Sequence, residues 1–401
     1  MSEQAAGRTL VLLVGSNPLP NFLTACALRR ARIVLVHTEE TRDARDRLRS
    51  ELTRALGGDV TIEEAFVEDA TCATTVRRVL DGLVQRADEE AHLNYTGGTK
   101  VMSAHARLAF LAARGRPEHA SYLDEGGAGR DPRLRFDDGN SRALSDYEHV
   151  PLTLAIVLGL HGITHRPRQA RPPAPTADDA REILCKVLAE PRLAKELYDE
   201  RKRLETVGNP TKATSKPFEA RWGLKLGVPV FPTNEQLEGF ANRKERDSWF
   251  KQWYKFLGGE WLEEWLGERI RGLGLQPEPE VTVGFDAFRG DKAAQLEIDV
   301  AVIRGHRSYF ISCTTDATTS VCKSKLFEVV VRSGQLGGDL ARAALVCLAD
   351  HGTVEKLQAD IDDLWGATNT TRVFGISDLH AWSDCDGKQP NFHSLKSWLE
   401  S

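Results

Sequence analysis

Two periods of apolar residues alternate along the first part of the chain. The runs TLVLLVGSNPLPN, ARIVLVHTEET, VTIEEAFVED and AHLNYTGGTK are short and β-rich. Between them, RDARDRLRSELTRAL and CATTVRRVLDGLVQRA place apolar residues at helical spacing. Strand and helix in turn predict a parallel sheet with helices on both faces, and ligands bind such sheets beyond the carboxyl ends of the strands. A second apolar stretch, VPLTLAIVLGLHGI (150–163), closes this unit.

Three strand ends carry polar groups suited to that crevice: Ser16 and Asn17 after the first, Thr38 after the second, and Asn94 to Lys100 (NYTGGTK) after the fourth. Gly97 and Gly98 remove the β-carbons that would hold backbone N–H groups away from a phosphate. The helix beginning TKVMSAHARLAFLAARG aims its positive end at the same place, and Lys100 adds a mobile cation. One helix end contributes only about 0.3–1 kcal/mol, so a polyphosphate ligand needs several such contacts together. A tight glycine turn between strand and helix is the plainer account of TGGT. The run is neither GxGxxG nor GxxxxGK[ST], so a dinucleotide or a nucleoside triphosphate is not indicated.

HRPRQARPPAPT (165–176) breaks both periods and marks a boundary. Thr176 with Asp179 reads as a capping box, and helical patterns continue through REILCKVLAE and PRLAKELYDERKRLE. NPTKATSKP (209–217) reads as a surface loop in which Lys212 and Lys216 are free to meet a phosphate. NRKERDSWFKQWYKF (242–256) interleaves lysine and arginine with aromatics, a mixture that can grip a single strand. Trp249, Trp253 and Phe256 nevertheless fall at helical spacing, which favours an amphipathic helix with buried rings and solvated lysines. From GGEWLEEWLGERIRGLG onward the order is helix, the strands EVTVGF, QLEIDVAVI and SYFISCTT, the helical KSKLFEVVVRSGQLGG, and the strand ARAALVCLA.

Length and charge constrain the picture modestly. With 401 residues the chain exceeds one ordinary core, so two domains and a connecting segment are expected. No apolar run approaches the ~20 residues of a membrane span and the N-terminus lacks a basic, apolar leader, so a cytoplasmic protein without membrane contact is expected. Seven scattered cysteines without a CxxC pair read as reduced thiols. A net charge of -5 means that any nucleic-acid binding must come from a local basic surface.

The SNPLPN loop, HTEET and above all NYTGGTK resemble the CARF sensor domains of type III CRISPR defence. The resemblance implies a homodimer that binds a cyclic oligoadenylate, with cyclic tetra-adenylate as the expected ring, across its two-fold axis. On that likeness Asn94, Thr96, Gly97, Gly98, Thr99 and Lys100 cradle the ring, and Ser16, Asn17 and Thr38 complete the pocket. A symmetric ring suits an isologous interface, which presents each half-pocket twice.

The C-terminal element order resembles the PD-(D/E)xK nuclease core, and the whole chain resembles the CRISPR ancillary nucleases that join it to a CARF domain. The implied fold class is α/β: a Rossmann-like CARF domain (1–165), a linker and helical connecting segment (166–256), and a restriction-endonuclease-like α/β/α effector (257–401). Gly259 and Glu263 match a G-x-x-x-E pattern, and Glu297 and Asp299 the acidic strand. Phosphodiester hydrolysis draws on a divalent cation held by carboxylates, usually with a lysine beside the attacking water. The resemblance therefore implies Mg²⁺ or Mn²⁺ at Asp299 and Glu263, with Glu297 nearby and DNA or RNA as substrate.

The family's strand ends in Glu-x-Lys, whereas this one reads Ser312-Cys313-Thr314. A hydroxyl supplies neither the negative charge nor the cation at pH 7. Lys325 and Glu328, three residues apart on the next helix, can lean back toward Asp299 and replace both, and Asp316 is a further acid in the same loop. The other reading is a degenerate effector that only binds nucleic acid or a partner protein. Transcriptional regulation is disfavoured, because no helix-turn-helix follows the first domain.

Overall fold

The computed structural model describes residues 9–58, 60–86, 90–114, 116–126, 130–147, 150, 152–167, 174–206, 242–288, 296–365 and 370–400. The loop at 209–217, with Lys212 and Lys216, lies outside them, as does the side chain of Trp249.

The N-terminal half runs β1 (Thr9–Leu13), α1 (Leu19–Leu28), β2 (Arg32–His37), α2 (Arg42–Leu56), β3 (Thr61–Phe66), α3 (Ala73–Arg86), β4 (His92–Asn94), α4 (Lys100–Arg114) and β5 (Ala120–Asp124). It ends with β6 (Arg133–Phe136) and β7 (Ser141–Ala143). The strand order is β3-β2-β1-β4-β5-β6-β7, parallel as far as β5 and antiparallel thereafter. The sequence reading anticipated the parallel part and missed the final hairpin. Central strands of such a sheet are apolar on both faces. Leu10, Leu12, Ile33 and Leu35 pack with α1 and α2 on one side. Val11, Leu13, Val34 and Val36 pack with α3 and α4 on the other.

The chain then passes through α5 (Leu154–Leu160), β8 (Thr164–Pro167), α6 (Ala177–Ala189), α7 (Arg192–Thr206) and α8 (Arg243–Lys255). A π-turn at Phe256–Glu260 leads into α9 (Trp261–Arg271). Next come β9 (Glu280–Phe288), β10 (Leu296–Arg304), β11 (Arg307–Thr314), α10 (Thr319–Gly337), β12 (Ala341–Cys347), α11 (His351–Trp365) and β13 (Thr371–Phe374). The short helices α12 (Ile376–Trp382) and α13 (His393–Leu399) finish the chain. The second sheet has the order β13-β12-β11-β10-β9-β8, with a core on each face.

A boundary at residue 165 falls inside β8, which pairs antiparallel with β9 and so belongs to the second sheet. Pairing of backbone groups, rather than composition, assigns those residues. The connecting segment is likewise no detached spacer: Ile183 and Leu184 of α6 and Leu197 of α7 share one core with Trp261 and Trp265 of α9. The capping box that starts α6 is present, with the Asp179 N–H donating to Thr176 Oγ1 at 3.2 Å and the Thr176 N–H to Asp179 Oδ2 at 2.8 Å. Cys185 on α6 is disulfide-bonded to Cys385, against the expectation of reduced thiols throughout. A separation of 200 residues hides such a pairing from sequence spacing.

The two halves are joined through their cores. Leu154, Val157 and Leu158 of α5 pack in the C-terminal core, whereas Leu160 packs in the N-terminal one. Leu340, just after α10, reaches the other way and is fully buried among Leu10, Leu12 and Leu23.

Candidate functional site

The first crevice lies at the carboxyl end of β1, β2 and β4. A β-carbon on Gly97 would sit 2.1 Å from the Leu13 carbonyl oxygen, so no side chain fits there, and Gly98 has φ +77°. The two glycines are therefore required by the turn itself. Asn94 is fully buried and braces the turn from below: its Oδ1 accepts from the Thr96 N–H at 3.2 Å and the Thr96 hydroxyl at 2.8 Å, and its amide donates to Ser121 Oγ. Thr96 Oγ1 in turn accepts from the Leu123 N–H at 2.6 Å.

Groups that can meet a ligand stand above this frame. Thr99 caps α4, its Oγ1 accepting from the Met102 N–H at 3.1 Å and donating to the Ala70 carbonyl at 3.0 Å. Thr99, Lys100 and Ser16 are exposed, and Asn17 is half-buried with its Oδ1 on the Leu19 N–H at 3.1 Å. Thr38 is buried at the end of β2, its N–H donating to Thr41 Oγ1. Beneath the glycines, Asn21 is fully buried: its amide donates to the Leu13 carbonyl and its Oδ1 has no partner among the described residues. The exposed Ser16, Thr99 and Lys100 thus stand beside the N-terminus of α4, groups whose chemistry suits an anion.

The second site sits where β10, β11, α9 and α10 meet. Asp299 is 8 % exposed and lies one step beyond the last paired residues, Val300 and Ile311. Its Oδ2 accepts from the Ser312 hydroxyl at 2.9 Å and the Cys313 N–H at 2.7 Å. Ser312, which stands where the resembling strand carries glutamate, therefore donates to Asp299 itself. Burial pushes the Asp299 carboxyl above the ordinary carboxylate range; the Cys313 N–H, the Lys325 charge and the Ser312 hydroxyl pull it down, while Glu297 adds to the rise.

Glu263 is 7 % exposed on α9, and it lines the same cleft of about 370 Å³ as Asp299, Glu297, Asp316 and Lys325. Gly259, with φ +151° inside the π-turn, gives the sharp entry that turns Glu263 inward. Lys325 and Glu328 both border a smaller cavity that also touches Asp299 and Ser312. Lys325 Nζ is 3.9 Å from Glu328 Oε2, and Arg332 also pairs with Glu328. The proposed replacements thus share a cavity with Asp299. Asp316 is occupied locally, with its Oδ1 accepting from the Thr318 N–H and hydroxyl.

The cleft has a wall of which sequence reasoning singled out only the stretch that carries Lys255. Tyr198, Arg201 and Lys202 of α7 and Lys255 of α8 face the carboxylates. The pattern of α7 shows an amphipathic helix but not what its charged face meets. The aromatic and basic stretch forms a helix as expected, with Trp253 and Phe256 buried, and Lys255 is exposed in the cleft.

Can2 from Sulfobacillus thermosulfidooxidans, solved in complex with cyclic tetra-adenylate, matches the chain with a TM-score of 0.64 at 18% identity, over 98% of this chain and 100% of that one. The fold is shared from end to end. Protein VC1899 from Vibrio cholerae matches equally well, with a TM-score of 0.65 at 15% identity and 98% of each chain covered. No family model and no curated protein matches the sequence. The architecture is thus mixed α/β, with two mixed sheets joined through helices, and it is the fold of these two proteins.

Proposed function

We propose that the chain is a homodimeric nuclease of type III CRISPR defence, gated by a cyclic oligoadenylate and dependent on a divalent cation. The observation that carries this reading is Asp299: a buried carboxylate held by two donors, in one cleft with Glu263 and Lys325. Cyclic tetra-adenylate is the activator of choice, because the structural match to Can2 is to a protein in complex with that ligand. Asn94, Thr96, Gly97 and Gly98 shape its cradle, and Ser16, Asn17, Thr38, Thr99 and Lys100 supply contacts.

Mg²⁺ or Mn²⁺ fits the donor chemistry, since Asp299 and Glu263 offer hard oxygens in a shared cleft. Among the described residues no three His, Cys, Asp or Glu side chains cluster to hold an ion by themselves. Mg²⁺ commonly uses only one or two carboxylates, with water and substrate phosphate completing its shell. When bound, the ion supplies Lewis-acid charge at the phosphate. Ser312 and the Cys313 N–H orient Asp299. Lys325 offsets negative charge beside it, in place of the lysine that Thr314 replaces.

The competing reading, a binding domain without catalysis, is favoured by Ser312 and Thr314 themselves. Incubating the protein with supercoiled DNA and with single-stranded DNA and RNA, with Mn²⁺ and with or without cyclic tetra-adenylate, separates the two. Ligand-dependent cleavage that Asp299→Ala abolishes supports the nuclease. Absence of cleavage on every substrate supports the binder.

A further inference from the structure

The C-terminal unit from residue 257 onward contributes mostly acid to the cleft: Glu260, Glu263, Glu297, Asp299 and Asp316 against Lys325. Such a floor repels a polyanion unless cations stand opposite. α7 and α8, from outside that unit, provide three in Arg201, Lys202 and Lys255. Their arrangement is built rather than incidental. A β-carbon on Gly258 would lie 2.2 Å from Arg201 Cδ and 3.1 Å from its Cγ, so this glycine inside the π-turn leaves room for the arginine to cross it. Lys202 Nζ sits 4.6 Å above the Tyr198 ring, a cation-π contact that directs it. α7 and α9 share a core, so this wall is anchored to the helix that carries Glu263.

We propose that Arg201, Lys202 and Lys255 form a phosphate-binding subsite that seats the strand flanking the cut, making the connecting helices part of the substrate site. The proposal rests on the nuclease reading for its substrate but assigns residues that the nuclease core does not contain. Phosphate contacts of this kind act through counterion release, each adding about 0.7 to the salt slope for a single strand. They fix position rather than sequence.

The test uses full-length protein carrying Asp299→Asn, so that binding is read without cleavage. Anisotropy of short labelled single-stranded DNA and RNA is followed across a salt series, with cyclic tetra-adenylate present. Lys202→Ala/Lys255→Ala is expected to weaken binding roughly 10-fold at low salt and to lower the slope by about 1.4, two contacts' worth. Lys195→Ala/Lys244→Ala removes two exposed lysines that do not line the cleft, and is expected to move neither. Arg201→Lys, which keeps the charge and most of the stem, is expected to bind nearly as the parent does.

Equal slopes in the two double variants overturn the subsite, as does failure of the Asp299→Asn protein to bind nucleic acid at any salt. If the parent cuts nothing while the slope still falls, the nuclease reading fails and the subsite stands. If the parent cuts and the slope does not move, the subsite fails alone.

Discussion

Asn17 and Gly338 are packed so closely that a β-carbon on Gly338 would lie 2.6 Å from the Asn17 side-chain nitrogen. Asn17 belongs to the loop after β1 that borders the first crevice. Gly338 directly follows α10, whose 19 residues span roughly 28 Å and carry Lys325 to the cleft of Asp299. Leu340 then anchors that end of α10 in the N-terminal core. The Asn17 loop and the helix bordering the cleft therefore share a contact, and a displacement of Asn17 acts on the end of α10.

Gly338 has φ +57°, where a side chain is strained in any case. Gly338→Ala is expected to cost about 1–2 kcal/mol and to push Asn17 away, weakening cyclic tetra-adenylate binding. Thermal unfolding and titration calorimetry measure the two effects. Unchanged affinity would show that Asn17 is not held in place by α10.

Lys100→Ala removes the cation at the start of α4 without touching the core, since Lys100 is exposed. Ligand affinity is expected to fall about 10-fold or less, with the unfolding temperature and ligand-free cleavage unchanged. Calorimetry with cyclic tetra-adenylate checks this, and equal binding by the variant and the parent removes the basis of the sensor assignment.

Ser312→Ala deletes one of the two donors to Asp299 Oδ2. Loss of an orienting partner of this kind is expected to lower cleavage roughly 10-fold. Ser312→Glu places a second carboxylate beside Asp299. Its unfolding temperature is expected to drop in chelator and to recover when Mn²⁺ is added. No difference between chelator and Mn²⁺ would argue against a cation at this place, and the readout does not depend on turnover.

Glu125 gives a pH dependence with a definite sign. Burial, with Asp339 nearby, raises its carboxyl to about 7, although the Asp339 and Leu340 N–H groups and Arg307 act against the rise. The folded protein therefore holds this proton more tightly than the unfolded chain does. The stability it contributes is complete below about 4.5, the ordinary glutamate value, and is lost as pH rises through about 7. Glu125→Gln, which stays neutral, is expected to flatten this part of the pH profile of unfolding temperature. A parent profile without a decline between those limits would rule Glu125 out as a titrating contact between the domains.

Much of this molecule was legible in one dimension because it depends on local pattern. The apolar runs of β1, β2 and β10, the helical spacing of α2 and α3, the Thr176 capping box and the turn at Gly97 and Gly98 all follow from side-chain period and backbone freedom over a few residues. The acids Glu263, Glu297 and Asp299 were legible only through the order of elements around them, since an isolated carboxylate on a strand or a helix carries no signal of its own. The final hairpin, β6 and β7, was missed because its strands are short and rich in arginine.

The tertiary structure alone decided which distant residues meet. It set Ser312 against Asp299, brought Arg201 across Gly258, joined Cys185 to Cys385 and seated Leu340 in the opposite core. These relationships arise from how faces of separate elements pack. Hydrophobic period states that a face will be covered, and only the assembled layers determine by what.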